Sequence, residues 1–198
     1  MSRNRRVLVT GASKGLGLAA AKAFARAGDR VALVARSRER LASLCTELEG
    51  SERHLVLAAD LLLVDELENV VSRVHSEWDG ADVLVHCVGG SYGMRTPVPP
   101  REELLKLVDL NLGIAAALNH AFVPGMVDQG SGNIIHVGSK DAFEATPAIA
   151  YNVAKAALSG YVRALGNELV GKGIVVTGIL PGAFFGDENA MFRFRKYK

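Results

Sequence analysis

Cysteine is nearly absent: Cys45 and Cys87 are the two in 198 residues. They fall far apart in different expected elements, which excludes a disulfide framework and gives no metal-ligand spacing; free thiols in a reducing cytosol are the expectation. Charge of one sign is scarce as well. Lys and Arg total 23 and Asp and Glu 21, a formal net charge of +2, with no like-charged block before the terminal Arg193-Phe194-Arg195-Lys196-Tyr197-Lys198. That balance gives no broad electrostatic footprint for nucleic acid, and the basic tail reads as a solvated end. No stretch approaches the ~18 consecutive apolar residues of a membrane span. Met1-Ser2-Arg3-Asn4-Arg5-Arg6 is basic like the start of an export signal, but the apolar run behind it is one strand long before Thr10-Gly11 breaks it. The expectation is a soluble cytoplasmic protein with no metal, no nucleic acid and no membrane among its partners.

What is present is hydrophobic residues, at 49%, and 21 glycines. A chain of this size buries one substantial core, so residues 1–198 read as a single domain. Apolar runs of strand length alternate with longer segments of helical period. Strands are expected at 7–10, 30–35, 54–59, 82–87, 133–137 and 174–179. Helices are expected at 15–27, 37–49, 65–78, 102–122 and 147–169. In the first helix the apolar stripe reads Leu16, Ala20, Ala23, Phe24 and Ala27, and in the second Leu41, Leu44 and Leu48 share a face with Ser37 as N-cap. The strands are apolar on both faces, which signals a parallel sheet covered by helices on both sides. Strict alternation of strand and helix gives a doubly wound α/β fold. No linker, repeat or low-complexity segment interrupts it.

Two motifs carry chemistry. Thr10-Gly11-Ala12-Ser13-Lys14-Gly15-Leu16-Gly17 joins the first strand to the first helix. The first glycine permits the sharp turn, and the later ones let the backbone approach a phosphate at the helix N-terminus. Far along the chain, Tyr151-Asn152-Val153-Ala154-Lys155 puts a phenol and an ammonium one helical turn apart, twelve residues after Ser139. The second strand ends Val34-Ala35-Arg36-Ser37 without the acidic residue that bonds the ribose of NAD. Arg36 can instead pair with a 2′-phosphate, with Lys14 approaching from the other side. NADP(H) is therefore expected over NAD(H).

The two motifs in this order resemble the short-chain dehydrogenase/reductase family, over essentially the whole chain, and the resemblance implies a Rossmann-type oxidoreductase. It implies cofactor contacts from Gly11, Ser13, Lys14, Gly15, Leu16 and Gly17, from Arg36 and Ser37, and from Asp60 and Leu61 beside the adenine. Gly89, Tyr151, Lys155, and the Pro181-Gly182 turn complete that set. It further implies a catalytic group of Ser139, Tyr151, Lys155 and Asn111. Tyr151 would give or take the proton of a carbonyl or alcohol. An isolated tyrosine titrates near pH ~10; the Lys155 charge, with that of an oxidised nicotinamide, would lower this. Ser139 would orient the substrate oxygen, and Asn111, the family's helix-interrupting asparagine, would anchor a water in a proton relay to Lys155. Homodimers or homotetramers are implied through the two long helices, where Gly113, Ala115, Ala116 and Ala117 would permit close approach.

The sequence departs from the family in three places. His86-Cys87-Val88-Gly89 stands where Asn-Asn-Ala-Gly is usual, so the brace of the fourth strand must be replaced, with His86 and Cys87 read as structural. The Ser139-to-Tyr151 interval is one residue shorter than in many relatives. The charged rim Lys140-Asp141-Ala142-Phe143-Glu144, taken with Gly89-Gly90-Ser91-Tyr92-Gly93, favours a small to medium, polar carbonyl or alcohol substrate. The C-terminal end reads as shortened, with residues 183–198 the start of a substrate lid. The expected function is NADP(H)-dependent interconversion of a ketone and a secondary alcohol. A non-catalytic nucleotide-binding scaffold, and an epimerase or dehydratase that recycles its cofactor, are the alternatives.

Overall fold

The computed structural model describes residues 4–182; the expected lid at 183–198 and the basic tail lie outside the described residues. Six strands, β1 (Arg6–Thr10), β2 (Arg30–Ala35), β3 (Leu55–Ala58), β4 (Val83–His86), β5 (Gly132–Val137) and β6 (Ile174–Ile179), form one sheet. Every pairing is parallel and the order is β3-β2-β1-β4-β5-β6. Between them run α1 (Gly15–Arg26), α2 (Arg38–Thr46), α3 (Val64–Trp78), α4 (Arg101–Val108), α5 (Ile114–Asp128) and α6 (Ile149–Leu169). The doubly wound expectation holds.

Successive strand residues face opposite sides of the sheet, and the core divides accordingly. Val7, Val9, Val31, Leu33, Val83 and Val85 pack under α1 and α2. Leu8, Ala32, Val34, Leu84 and Ile134 pack under α3, α4, α5 and α6. Each fully buried Val or Leu contributes about 1.5–3 kcal/mol of transfer free energy, so this two-sided burial is what fixes the strand register. At the outer strand β6, Val175 and Ile179 stay 58% and 42% exposed.

Two expectations need correction and a third needs an addition. The stripe of α1 is shifted by one residue: Gly17, Ala21 and Ala25 are buried, while Ala23 and Ala27 are exposed. The reason is close approach, because a Cβ on Gly17 would lie 2.3 Å from the Gly11 carbonyl oxygen. The smallest side chains thus take the inner face, against hydrophobicity alone. Helix α5 does not stop at Phe122 but runs through Pro124 to Asp128, since proline's clash falls on the exposed end of a helix whose stripe Ile114, Leu118, Phe122 and Met126 is already buried. Third, the small size of Gly113 has a local cause as well. A Cβ there would collide with the Asp109 carboxylate across the π turn Asp109–Gly113 that joins α4 to α5. By length and composition the continuous segment Arg101–Asp128 is apolar enough to cross a membrane; in the fold it lies on the sheet with Leu107, Leu110 and Ile114 in the core.

Candidate active site

Because the chain winds outward from β1 to β3 and then returns to place β4 on the other side of β1, the order of strands reverses between β1 and β4. A crevice opens there beyond the carboxyl ends of the strands, the place where doubly wound sheets hold ligands. The glycine turn after β1 forms one wall, and Cys87 to Gly90 after β4 forms another. Gly11 has φ +67°, and a Cβ on it would approach the Cys87 carbonyl to 3.1 Å. The Thr10 hydroxyl ties the walls together, accepting from the amides of Cys87 at 3.1 Å and Val88 at 3.3 Å.

Helix α1 begins at Gly15 with no side-chain cap and no acidic residue in its first turn. Its leading amides and positive dipole end are therefore left for an anion. Arg36 ends the β2 side of the crevice, exposed, and Ser37 caps α2 by accepting from the Arg40 amide at 3.3 Å. Arg40, passed over in the sequence, reaches back from α2 so that its Nε donates to the Ser13 carbonyl at 2.9 Å. Lys14 is exposed on the same turn. The far end of the crevice is shaped by Asp60, whose amide donates to Glu66 Oε2 at 2.6 Å and whose Oδ1 accepts from the Leu62 amide at 3.2 Å. Leu61 is buried beside it.

Ser139, Tyr151 and Lys155 meet where β5 ends under α6. Ser139 is 8% exposed, and its Oγ accepts from the Asp141 amide at 3.1 Å, which leaves the hydroxyl proton to donate. The adjoining Phe143–Pro147 loop is held to α6 by Asn152, which accepts from Thr146 Oγ1 at 2.7 Å. Burial raises the Tyr151 phenol above its ordinary value, with a Ser139 hydrogen bond opposing. The expected lowering is therefore not realised in the protein alone: desolvation of the phenolate, helped by the Asp141 charge, outweighs the Ser139 hydrogen bond. The ammonium sits 5.7 Å from the Tyr151 ring centre and donates to the Val137 carbonyl at 2.9 Å. Lys155 is 3% exposed, and burial brings it down to about 8.

Asn111 lies in the π turn, 3% exposed. Its Oδ1 accepts from the Gly90 amide at 2.9 Å, and its Nδ2 donates to the carbonyls of Gly90 at 3.0 Å and Leu107 at 2.9 Å. The side chain expected to anchor a water also clamps the β4 loop. Gly89 fits between this clamp and the ammonium: a Cβ there would be 2.6 Å from Asn111 Oδ1 and 3.2 Å from Lys155 Nζ. On the remaining side the Pro181 carbonyl accepts from the Lys140 amide at 3.3 Å, whereas Gly182 has room for a side chain. The rim charges neutralise one another, Lys140 pairing with Glu144 and with Asp141. Phe143 stands 71% exposed between them.

Residues 5–193 match the model of the short chain dehydrogenase family. The chain belongs to that family. A short chain dehydrogenase of Pseudocercospora fijiensis is 34% identical over 186 residues, covering 91% of this chain and 60% of the relative. The very-long-chain 3-oxoacyl-CoA reductase of Anas platyrhynchos is 32% identical, covering 88% and 58%. Among solved structures, L-sorbose reductase of Gluconobacter frateurii in complex with NADPH and L-sorbose superposes with TM-score 0.85 at 33% identity, over 93% of this chain and 72% of that one. A short-chain dehydrogenase of Sphingobium yanoikuyae in complex with NADPH gives 0.83 at 31% identity, over 91% and 72%. The chain thus spans about three fifths of the first curated relative and nearly three quarters of these structures.

Sequence reasoning brought Gly11, Gly17, Gly89, Asn111, Ser139, Tyr151 and Lys155 to one crevice. It missed the Thr10 hydroxyl bonds and Arg40, and it missed His136 and Asn119 against His86, with Tyr161 behind them. The only signal for that group is the parallel register of β4 and β5, which pairs His86 with His136; it exists once the sheet order is known.

Proposed function

We propose that this short-chain dehydrogenase is an NADP(H)-dependent oxidoreductase that interconverts a ketone and a secondary alcohol, with Tyr151 as proton donor and acceptor. The observation that carries the reading is the convergence of the Ser139 hydroxyl, the Tyr151 phenol and the Lys155 ammonium beside Gly89 at the reversal point of the sheet. The cofactor fits the residues present: uncapped amides at α1 suit a pyrophosphate, and Arg36, Lys14 and Arg40 give a cationic end suited to a 2′-phosphate. When bound, it supplies the hydride.

The chain's own groups do the rest. Ser139 donates to the ketone oxygen and aims it at Tyr151, which gives up its proton as charge develops on that oxygen. Lys155, still mostly protonated at neutral pH, stabilises the phenolate left behind and holds the nicotinamide ribose. Asn111 keeps the Gly90 loop against the ammonium and is assigned the relay water. Arg36, Ser37 and Lys14 contact the 2′-phosphate, Asp60 and Leu61 the adenine, and Pro181-Gly182 the nicotinamide side. A small to medium polar ketone suits the crevice, and a cytoplasmic location suits two free thiols. Homo-oligomers are inferred through α4, α5 and α6, where Leu105, Val127, Ile149 and Val153 stay exposed.

Titration with NADPH and NADH tests the cofactor half of the reading. Wild type is expected to prefer NADPH by about tenfold or more, and Arg36→Asp to invert the preference. Equal affinities for both cofactors in both proteins would refute the Arg36 assignment. A ketone panel including L-sorbose, followed at NADPH absorbance, tests the chemistry.

A further inference from the structure

His86 and His136 end neighbouring strands and are direct register partners. Their rings stack with centroids 4.7 Å apart and planes at 25°, and they are 5% and 1% exposed. One carboxamide serves both. Asn119 on α5, 2% exposed, places Oδ1 2.8 Å from His86 Nε2 and Nδ2 3.4 Å from His136 Nε2. The same Nδ2 lies 3.1 Å from the Tyr161 hydroxyl on α6, and the Tyr161 ring meets His136 edge-on at 5.9 Å.

A carboxamide has an acceptor on one side and donors on the other. The imidazole facing its oxygen must carry a proton on Nε2, and the one facing its nitrogen must present a lone pair there. This holds whichever way the amide is turned, so the two rings are opposite neutral tautomers. Neither Nδ1 has a partner among the described residues. The second N–H of an imidazolium, on Nδ1, has no acceptor among the described residues, and burial brings His86 down to about 4 and His136 to about 3, with the His86 and Lys155 charges lesser causes for the latter.

The four tethered elements also carry the candidate site. His86 leads into Cys87 to Gly90. His136 precedes Val137, whose carbonyl accepts a hydrogen bond from Lys155, and then Ser139. Asn119 follows Asn111 by two turns, and Tyr161 follows Tyr151 and Lys155 on α6. Movement of any one element displaces the acceptor or clamp that another depends on.

We propose that Asn119 is a positioning residue, whose single carboxamide ties β4 and β5 through His86 and His136 and α6 through Tyr161, locking the two imidazoles as opposite neutral tautomers and fixing Lys155 and Ser139 against Gly89. The effect on turnover rests on the oxidoreductase reading; the tautomer assignment does not. Asn119→Asp keeps the shape but offers only acceptors, so both rings can turn Nε2–H toward it. Nitrogen-15 spectra of imidazole-labelled wild type are expected to show one Nε2–H and one Nδ1–H histidine, both neutral from pH 8 to 5. In Asn119→Asp both become Nε2–H. On the panel ketone reduced fastest, kcat falls by about 10- to 100-fold while KM and NADPH affinity change less than about threefold.

Matching tautomers in wild type overturn the proposal, as does an Asn119→Asp protein with altered tautomers and an unchanged kcat. Should that variant not fold, Tyr161→Phe replaces it: a kcat loss of about threefold or more at unchanged KM, with the opposite tautomers seen in wild type, supports the proposal, and no loss overturns it. If wild type turns over no ketone, the oxidoreductase reading fails, and the wild-type spectra decide the tautomer lock alone.

Discussion

At the amino-terminal edge of the sheet, two arginines close on carboxylates. Arg5 holds Asp29 through Nε at 3.2 Å and Nη2 at 2.7 Å. Arg6 holds Asp82 through its amide, Nε and Nη2, and donates further to the carbonyls of Trp78 and Asp79. At the carboxyl-terminal edge the buried polar groups among the described residues are neutral, apart from Lys155, which donates to a carbonyl rather than to a carboxylate. One edge spends its charges on one another and staples the ends of β1, β2 and β4. The other keeps a desolvated cation uncompensated, which costs stability but leaves its field for a developing anion. On the proposed function, stability and chemistry are thus assigned to opposite ends of the same strands.

The largest expected effect sharpens the carboxyl-terminal side of this comparison. Tyr151→Phe should lower kcat by about 10²–10⁴-fold, with NADPH affinity and melting temperature nearly unchanged, as read by steady-state kinetics, cofactor titration and calorimetry. A substantial residual rate would remove Tyr151 from its role.

Lys155→Met should lower turnover by about 10²-fold without loss of folding stability at neutral pH, because a buried cation is replaced by an apolar group of similar length. Below about pH 8 Lys155 is protonated whether the chain is folded or unfolded; between about 8 and its ordinary value of 10.5 only the unfolded chain keeps the proton. Stability of wild type relative to Lys155→Met should therefore rise with pH across that window, with a slope approaching about 1.4 kcal/mol per unit. Chemical denaturation at three pH values reads this. A flat difference would mean that the lysine is solvated.

The smallest effect belongs to the other edge. Asp82→Asn should cost about 1–3 kcal/mol in urea unfolding and leave NADPH affinity and kcat unchanged. Burial pushes the Asp82 carboxyl up, but the Arg6 hydrogen bonds outweigh it and hold it below its ordinary value. Its contribution is present above the unfolded pKa and lost as pH falls through the folded one, so the variant should match wild type more closely in acid. Loss of activity in Asp82→Asn at unchanged stability would break the division between the edges.

Much of this was legible beforehand. The strands, the glycine turn and the Tyr151-Lys155 pair were readable because each is a local pattern, a run of apolar residues or a spacing matched to a helical turn. The phase of α1 was not, because Gly17 is placed by the backbone of Gly11 rather than by its own hydrophobicity. The clamp of Asn111 on Gly90 was not either, since its partner lies twenty-one residues away on another element. The phenol's raised pKa follows from burial, which no spacing encodes.

By itself, the order of residues determined the succession of strands and helices, the doubly wound class and the identity of the groups that reach the crevice. Periodicity and turn chemistry act over a few residues and need no distant partner. Only the folded molecule decided that β4 lies between β1 and β5, that His86 therefore meets His136 over one carboxamide, and that Lys155 loses its water. Desolvation and shared hydrogen bonds belong to neighbours in space, and those neighbours come from separate elements of the chain.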